Sequence, residues 1–487
     1  MVKIIVINAC IFLQTSFSCA VLASNTFFMP QTKEELIFLV QSAAAKSEKI
    51  TPCGSFGSYK ECTGGAYADQ KYVHLGHLNS ILWINKTTNQ VCVEAGILLE
   101  DLIRELAKAD LQLIDHVATQ GLSLVGTLST GSHGASLIGY LPDYIEEIEF
   151  IDGTGTVHRC SRTTSPELLR AICVGLGCFG IIYSITINCQ KLEYVTQHIQ
   201  YIYVDNFCEV MKHYLDNCIA LRGELNPYTG LIRLQTVYPV SQSNISSSHN
   251  AYYASHRIAY QLQDKIIIGT VRDLAKKYAW KEAVAMAIDR HILLRNHHDF
   301  TDIYPYVMAP FDYRILRSNP LTLARLNEEE FAIPLKHFTE ALYDVIELFQ
   351  ELAHNNIYNV RQITFRFSKG TNNAYLGPVG EGIWGWINIV LIHSRFGHVI
   401  ENNFKLFADG TTNAYFQEVT AGILETLEDK FIGLYNARPH WGKNNYLTLT
   451  KLRRIYGDNA VNTFINLRKK HDPKNIFLKP YTHKLFA

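Results

Sequence analysis

Six consecutive residues, Ser129–Gly134, read S-T-G-S-H-G inside the run Thr119–Ser136, which is crowded with glycines, hydroxyls and small side chains. Glycine at this density lets backbone amides approach a flat, phosphate-bearing ligand closely. The plain alternative is a tight surface turn. A second glycine cluster, Gly175–Gly180 (G-L-G-C-F-G), fits G-x-G-x-x-G letter for letter. That fingerprint needs a strand before it and a helix after it, so that the phosphate sits on the helix N-terminus. Here a helical pattern, Pro166–Val174, precedes and a β-rich run, Ile181–Cys189, follows, so the dinucleotide reading is rejected. Farther on, Thr364-Phe365-Arg366-Phe367 has the alternation of a strand, which puts Thr364 and Arg366 on one face. His297, His298 and Asp299 are consecutive and would diverge on a helix, so no metal site is expected there.

Elements of both kinds must position these groups. Thr32 and Glu35 have capping-box spacing ahead of a helix whose apolar stripe is Leu36, Leu39 and Val40. Ile50–Ser58 reads as a short strand entering a Gly/Ser loop. Val91–Ala95 is a strand, and Leu98–Ala109 is an amphipathic helix with Leu99, Leu102, Ile103 and Leu106 on one side. From about residue 191 the pattern changes: Tyr194–Val204, Leu231–Val240, Ile363–Ser368 and Ile383–Ile392 look like strands, and Glu329–Leu352 includes a long helix. This alternation implies a mixed α+β chain.

Five segments in order give the chain a family likeness: Ser129–Gly134, Gly153–Ile182, Glu328–Pro334 (E-E-E-F-A-I-P), Arg438–Lys443 (R-P-H-W-G-K) and His471–Tyr481. Together they resemble the FAD-linked sugar-lactone and alditol oxidases of the vanillyl-alcohol-oxidase superfamily. The likeness runs from about Pro30 to Tyr481 and is thin between about 200 and 320. It implies a two-domain fold. The FAD-binding domain would span residues 24–190, a sheet-based substrate domain 191–430, and a C-terminal segment, 431–487, would return to the FAD domain.

The resemblance also implies roles. Gly54, Ser55, Phe56, Gly57 and Ser58 would form the pyrophosphate loop. Ser123, Gly126, Ser129, Thr130, Gly131, His133 and Gly134 would form the second FAD loop. Gly177 and Gly180 would place backbone groups against the cofactor, with Ile181 and Ile182 on its adenine side. Many members carry G-S-G-H-S in the first loop, with the histidine bonded to the flavin. Here the loop is G-S-F-G-S, so Gly57 stands in the histidine's place and FAD would be held non-covalently. Phe56 replaces a glycine and would crowd the loop.

Lys443 would lie at the flavin edge, where a fixed cation stabilises negative charge; His440 would orient substrate or support the loop. Members typically have E-x-R-F on a substrate-domain strand. Arg366 keeps its register, but Thr364 stands where the glutamate would be, and threonine cannot accept a proton as a carboxylate does. His393 and His440 are then the alternative proton acceptors.

Lys plus Arg and Asp plus Glu number 45 each, a balance that argues against nucleic-acid binding. Lys3, the apolar run Ile4–Leu13 and small residues near Ala23 read as a signal peptide over residues 1–23, implying a secreted or periplasmic protein; membrane association through this segment is the alternative. All eleven cysteines precede residue 219 and none form C-x-x-C, so they are expected to be mostly buried free thiols. The combined expectation is an FAD-dependent oxidoreductase. It would oxidise the CH–OH group of a sugar lactone, sugar or polyol and pass electrons to oxygen or another acceptor. A flavin-binding protein that has lost catalysis is the alternative.

Overall fold

The computed structural model describes residues 27–58, 70–241, 270–303, 325–393 and 410–487, apart from positions 116, 118, 120, 272, 295–299, 356 and 360. The N-terminal apolar run and the His297–Asp299 cluster lie outside these residues.

Two antiparallel sheets and their helices carry the site. In the N-terminal part, β1 (Phe27–Phe28), β2 (Lys49–Cys53) and β3 (Gln70–His74) form a small parallel sheet. The helix Lys33–Lys46 begins at Thr32, whose hydroxyl accepts the Glu35 N–H, and buries Leu36 and Val40 completely. Beside it lies a five-stranded sheet built from β4 (Ile81–Asn85), β5 (Gln90–Glu94), β7 (Ile145–Asp152), β8 (Val157–Ser161) and β9 (Gly180–Asn188), in the order β4-β5-β9-β7-β8. Short β6 (Leu111–Gln112) pairs with β10 (Gln190–Lys191). The helix Leu99–Lys108 packs Leu99, Leu102, Ile103 and Leu106 into the same core, with Glu100 and Asp101 in its first turn and Lys108 in its last, matching the helix dipole.

The second sheet has eight strands: β11 (Tyr194–Tyr203), β12 (Ala220–Leu225), β13 (Leu231–Pro239), β14 (Phe300–Ile303), β15 (Arg325–Pro334), β16 (Ile363–Gly370), β17 (Gly382–His393) and β18 (Arg438–Pro439). Their order is β14-β11-β13-β12-β16-β17-β15-β18. The helices Val204–Asn217, Phe338–His354 and Gly410–Tyr435 cover one face. Strand alternation sorts the side chains. Phe365 and Phe367, Ile387 and Ile389, and Phe331 and Ile333 enter the helix-covered core. Thr364 and Arg366, Trp386 and Asn388, and Glu328 and Glu330 alternate with them. The helix expected within Glu329–Leu352 starts only at Phe338, because Arg325–Pro334 is a central strand paired on both edges.

After β18 the chain leaves this sheet. Trp441, Leu452, Val461, Phe464 and Phe477 pack into the core of the N-terminal part, so the helices Leu449–Tyr456, Asp458–His471 and Pro480–Phe486 belong to that body. The eight described cysteines are all free, and seven are buried. Among the described residues, no helix is long and apolar enough to cross a membrane.

Candidate active site

The glycine- and serine-rich loops converge through hydrogen bonds that sequence separation hides. The Ser55 and Ser123 hydroxyls each accept the other residue's backbone N–H, at 3.0 and 3.3 Å. Ser123 also caps the short helix Leu124–Ser129 by accepting the Gly126 N–H. A Cβ at Gly54 would overlap the Ser123 hydroxyl, so only glycine permits this approach. The Leu176 N–H donates to the Ser129 carbonyl at 3.1 Å, which brings the 175–180 turn against the S-T-G-S-H-G run. Thr130 donates to the Gly126 carbonyl, and Gly131 (φ +63°) packs against Tyr140 and Pro378. Gly177 (φ +70°) lies over Pro52, while Gly180 sits against the Ile151 carbonyl. The loop at 54–58 also reaches the 440s: a Cβ at Gly442 would lie 3.5 Å from Ser58 Oγ.

Two expectations about these loops change. Phe56 does not crowd the loop. It adopts φ +55° and turns its ring onto His74, nearly parallel at 5.5 Å, and towards Phe27. Ile181 is fully buried in β9 and offers no surface to a ligand, and Ile182 is nearly so. Gly57 faces Leu122, which fills the space a side chain at that position would need.

Opposite these loops, the second sheet presents two ion pairs. Arg366 Nη2 lies 3.1 Å from Glu330 Oε1, and Lys443 Nζ donates to Glu328 Oε1 at 2.5 Å. Asn388 Nδ2 donates to the same Glu328 oxygen at 2.8 Å, and the Thr364 hydroxyl donates to Asn388 Oδ1 at 3.3 Å. One polar chain therefore crosses three strands and ends on the loop after β18. Register explains it: Thr364, Asn388 and Glu330 are cross-strand neighbours, and the Asn444 N–H bonds the Glu328 carbonyl, which carries Lys443 over Glu328. Arg366, Lys443 and Glu328 keep 23, 25 and 15% of their side chains exposed, whereas Glu330 keeps 2%.

His133 joins the two bodies. Its ring stacks on Trp386 with centroids 3.3 Å apart, Nδ1 donates to the Gly134 carbonyl at 2.9 Å, and Nε2 lies 3.4 Å from Glu330 Oε1. Trp386 in turn donates to Ser368, whose hydroxyl donates to the Gly134 carbonyl. His440 Nδ1 accepts the Gly442 N–H at 2.9 Å, so the neutral ring carries its proton on Nε2.

Burial pushes the Glu330 carboxyl up, but Arg366 and then His133 outweigh it and hold it well below the usual carboxylate range. Burial likewise opposes ionisation of Glu328, and Lys443 reverses the sign, so Glu328 is lowered and Lys443 is raised. Both pairs are therefore charged. Burial brings the His440 imidazole down to about 3, too low to serve as the main proton store near neutrality. Two nitrogens flank Glu330 Oε1, Arg366 Nη2 at 3.1 Å and His133 Nε2 at 3.4 Å, so the carboxylate is held by charge from both bodies. His133, Glu330 and His440 lie close enough to suggest a metal triad. The Arg366 guanidinium already occupies the charge-balancing position there, which disfavours a second cation.

Sequence reasoning found Arg366, Lys443, His440 and His133, and the fold brings all four together. His393 is not brought in: it pairs with Arg325, seven residues along β17 from Trp386, roughly 23 Å at strand rise. Glu328 and Glu330 were missed as site residues. Their signal lay in E-E-E-F-A-I-P, where the first and third glutamates share a strand face.

The profile described as "FAD binding domain" matches residues 25–161, and the one described as "D-arabinono-1,4-lactone oxidase" matches residues 186–485. The chain belongs to the D-arabinono-1,4-lactone oxidase family. It is an FAD-dependent oxidoreductase. L-gulonolactone oxidase of Mus musculus is 24% identical over 470 residues, with 94% of each chain covered. L-gulono-1,4-lactone dehydrogenase of Mycobacterium tuberculosis is 22% identical, covering 96% of this chain and 97% of that one. Cholesterol oxidase from B. sterolicum shares the fold, with a TM-score of 0.71 at 16% identity over 95% of this chain and 94% of that one. The loops fit the cofactor. Gly54 lies against Ser123 with no room for a side chain, which keeps the backbones of the two loops close together. The residues that would hold FAD are those of the 54–58, 123–134 and 175–180 segments.

Proposed function

We propose that the protein oxidises the CH–OH group of a sugar lactone, with related sugars and polyols as the wider class, using FAD held without a covalent link. The observation that carries this reading is the pairing of Arg366 with Glu330 and Lys443 with Glu328 on the sheet face opposite the glycine loops. Bound FAD supplies the hydride acceptor. Arg366, locked by Glu330, presents the rest of its guanidinium fork to hydroxyl or carbonyl oxygens of the substrate. Lys443 places a fixed cation at the same face, where charge in a sheltered site acts strongly and needs no reorganisation. Glu328 is the more exposed of the two carboxylates and takes the substrate hydroxyl proton, the task that Thr364 cannot perform. With a carboxylate supplied from β15, the departure at Thr364 no longer argues for lost catalysis.

Non-covalent attachment rests on Gly57 and on Leu122, which occupies the volume of the missing side chain. Acid precipitation of the flavin-loaded protein should leave yellow colour in the supernatant; colour retained in the pellet would overturn this part. The substrate class is tested by anaerobic mixing with a panel of aldonolactones, alditols and free sugars while the flavin absorbance is followed. Bleaching by an aldonolactone at far lower concentration than by an alditol is the expected result. No bleaching by any lactone would refute the reading, and a second mixing step with oxygen would separate oxidase from dehydrogenase behaviour.

A further inference from the structure

In the N-terminal body, beside the pairing of Asp152 with Gly180, two potential ligands from one hairpin meet a third from the C-terminal helices. Asp152 ends β7, His158 lies near the start of β8, and His471 closes the helix Asp458–His471. His158 Nε2 lies 2.7 Å from Asp152 Oδ2, and His471 Nδ1 lies 3.9 Å from the same oxygen. All three ligand atoms fall within 4.8 Å of one another. We propose that Asp152, His158 and His471 form a binding site for a divalent transition metal of the zinc class. It would clamp the C-terminal helix to the β7–β8 hairpin.

An Asp–His pair alone is common, and if only two residues met here the pair would be explained as a hydrogen bond. His471 is what that explanation leaves out. Its Nδ1 lies 3.9 Å from the shared oxygen, beyond hydrogen-bond range. The two imidazoles meet edge to face at 4.8 Å rather than stacking. Zinc holds nitrogen and oxygen ligands at about 2.0–2.2 Å in tetrahedral array, which sets ligand atoms about 3.3 Å apart. The observed 2.7 and 3.9 Å bracket that spacing and no two of the three ligand atoms are more than 4.8 Å apart, so shifts of about 1 Å would bring them to tetrahedral zinc distances.

The surroundings are built to hold the carboxylate. Asp152 Oδ1 accepts the Thr154 N–H at 2.8 Å, the Thr154 hydroxyl at 2.6 Å and the Thr156 N–H at 3.1 Å. That oxygen is fully engaged, and Oδ2 is left turned to the imidazoles, as an outer shell should do for a metal ligand. The Gly153 N–H donates to the His471 carbonyl at 2.7 Å, and a Cβ at Gly153 would press on Asp472, so hairpin and helix end are locked together. His158 keeps 31% of its side chain exposed, which gives the ion a way in and leaves a fourth position for water. Aspartate with two neutral imidazoles carries one negative charge, and this donor set favours zinc-like ions over calcium or magnesium.

The test uses full-length, flavin-loaded protein treated with chelator and then dialysed. Equilibrium dialysis against Zn2+ should show one ion bound per chain, and the melting temperature should rise with free Zn2+, continuing logarithmically above the dissociation constant. His158→Asn, at a position 31% exposed, and His471→Asn should each weaken binding at least tenfold and abolish the melting shift, while flavin content stays unchanged. Binding of Zn2+ that is non-saturable, absent, or equal in wild type and both variants would overturn the proposal.

Discussion

Replacing Glu330 by glutamine keeps the size of the side chain and removes one charge from a site holding two cations and two anions. Glu330 is 2% exposed, and its carboxylate is the ion partner of Arg366 at 3.1 Å and the neighbour of His133 at 3.4 Å. Breaking a buried pair by removing one partner costs about 3–5 kcal/mol when the other charge is also buried. Arg366 is 23% exposed and regains some hydration, so a loss of about 1–3 kcal/mol in stability is expected. The catalytic loss should be larger than the folding loss explains, because the guanidinium is no longer held in its fork geometry. Losing a preorganised donor is worth about 2–4 kcal/mol, or roughly 30- to 1000-fold in rate. The assay is stopped-flow reduction of the flavin by a lactone, beside urea denaturation and flavin content. Glu329→Gln is the matched control, because strand alternation turns its side chain to the helix-covered face. Flavin reduction within twofold of wild type in Glu330→Gln, with Arg366 intact, would refute the reasoning. A Glu329→Gln variant as slow as Glu330→Gln would equally show that the strand faces are assigned wrongly.

Burial, and then the neighbouring Glu428, raise the Glu329 carboxyl well above its ordinary value, and neither of its oxygens accepts a hydrogen bond. A raised folded pKa gives stability that is full below the unfolded value, about 4.3, and is lost as pH rises towards the folded one. Glu329→Gln should therefore raise the melting temperature relative to wild type at pH 8 more than at pH 4.5; an equal difference at both would count against a buried, protonated carboxyl. Gly57→His should destabilise by about 1–3 kcal/mol through overpacking against Leu122, and Leu122→Ala in the same chain should recover part of it; recovery is read from urea midpoints, and a neutral Gly57→His would show that Leu122 yields. Lys443→Met removes the partner of Glu328, so flavin reduction should slow by more than tenfold while the flavin stays bound, and unchanged reduction would place the lysine outside the chemistry.

Much of the site could be read locally. Glycine and serine densities mark the loops because only small residues allow such backbone approach, and Ser55, Ser123, Ser129 and Gly131 lie where those loops meet. The Thr32 cap, the apolar stripe ending in Val40 and the stripe through Leu99 and Leu106 follow from helical period alone. The reversed context of Gly175–Gly180, helix before and strand after, was also legible and stands in the fold. Reading failed where a residue's meaning depends on its neighbour in another strand. Thr364 suggested a missing carboxylate, and His393 was weighed as a substitute, because nothing in the local pattern says which strand lies beside which.

Motif order alone identified the family and the cofactor, and period-two alternation put Thr364 and Arg366 on one face. That β15 lies beside β17, and hence that Glu330 meets Arg366 and Glu328 meets Lys443, emerged from the folded sheet. The same holds for His133 stacking on Trp386, and for Asp152 and His158 meeting His471. The physical reason is that alternation within a strand is fixed by local backbone geometry. Which strands become neighbours is settled by burying both faces of a whole sheet and closing loops of hundreds of residues, where closure entropy rises only slowly with length and leaves little local trace.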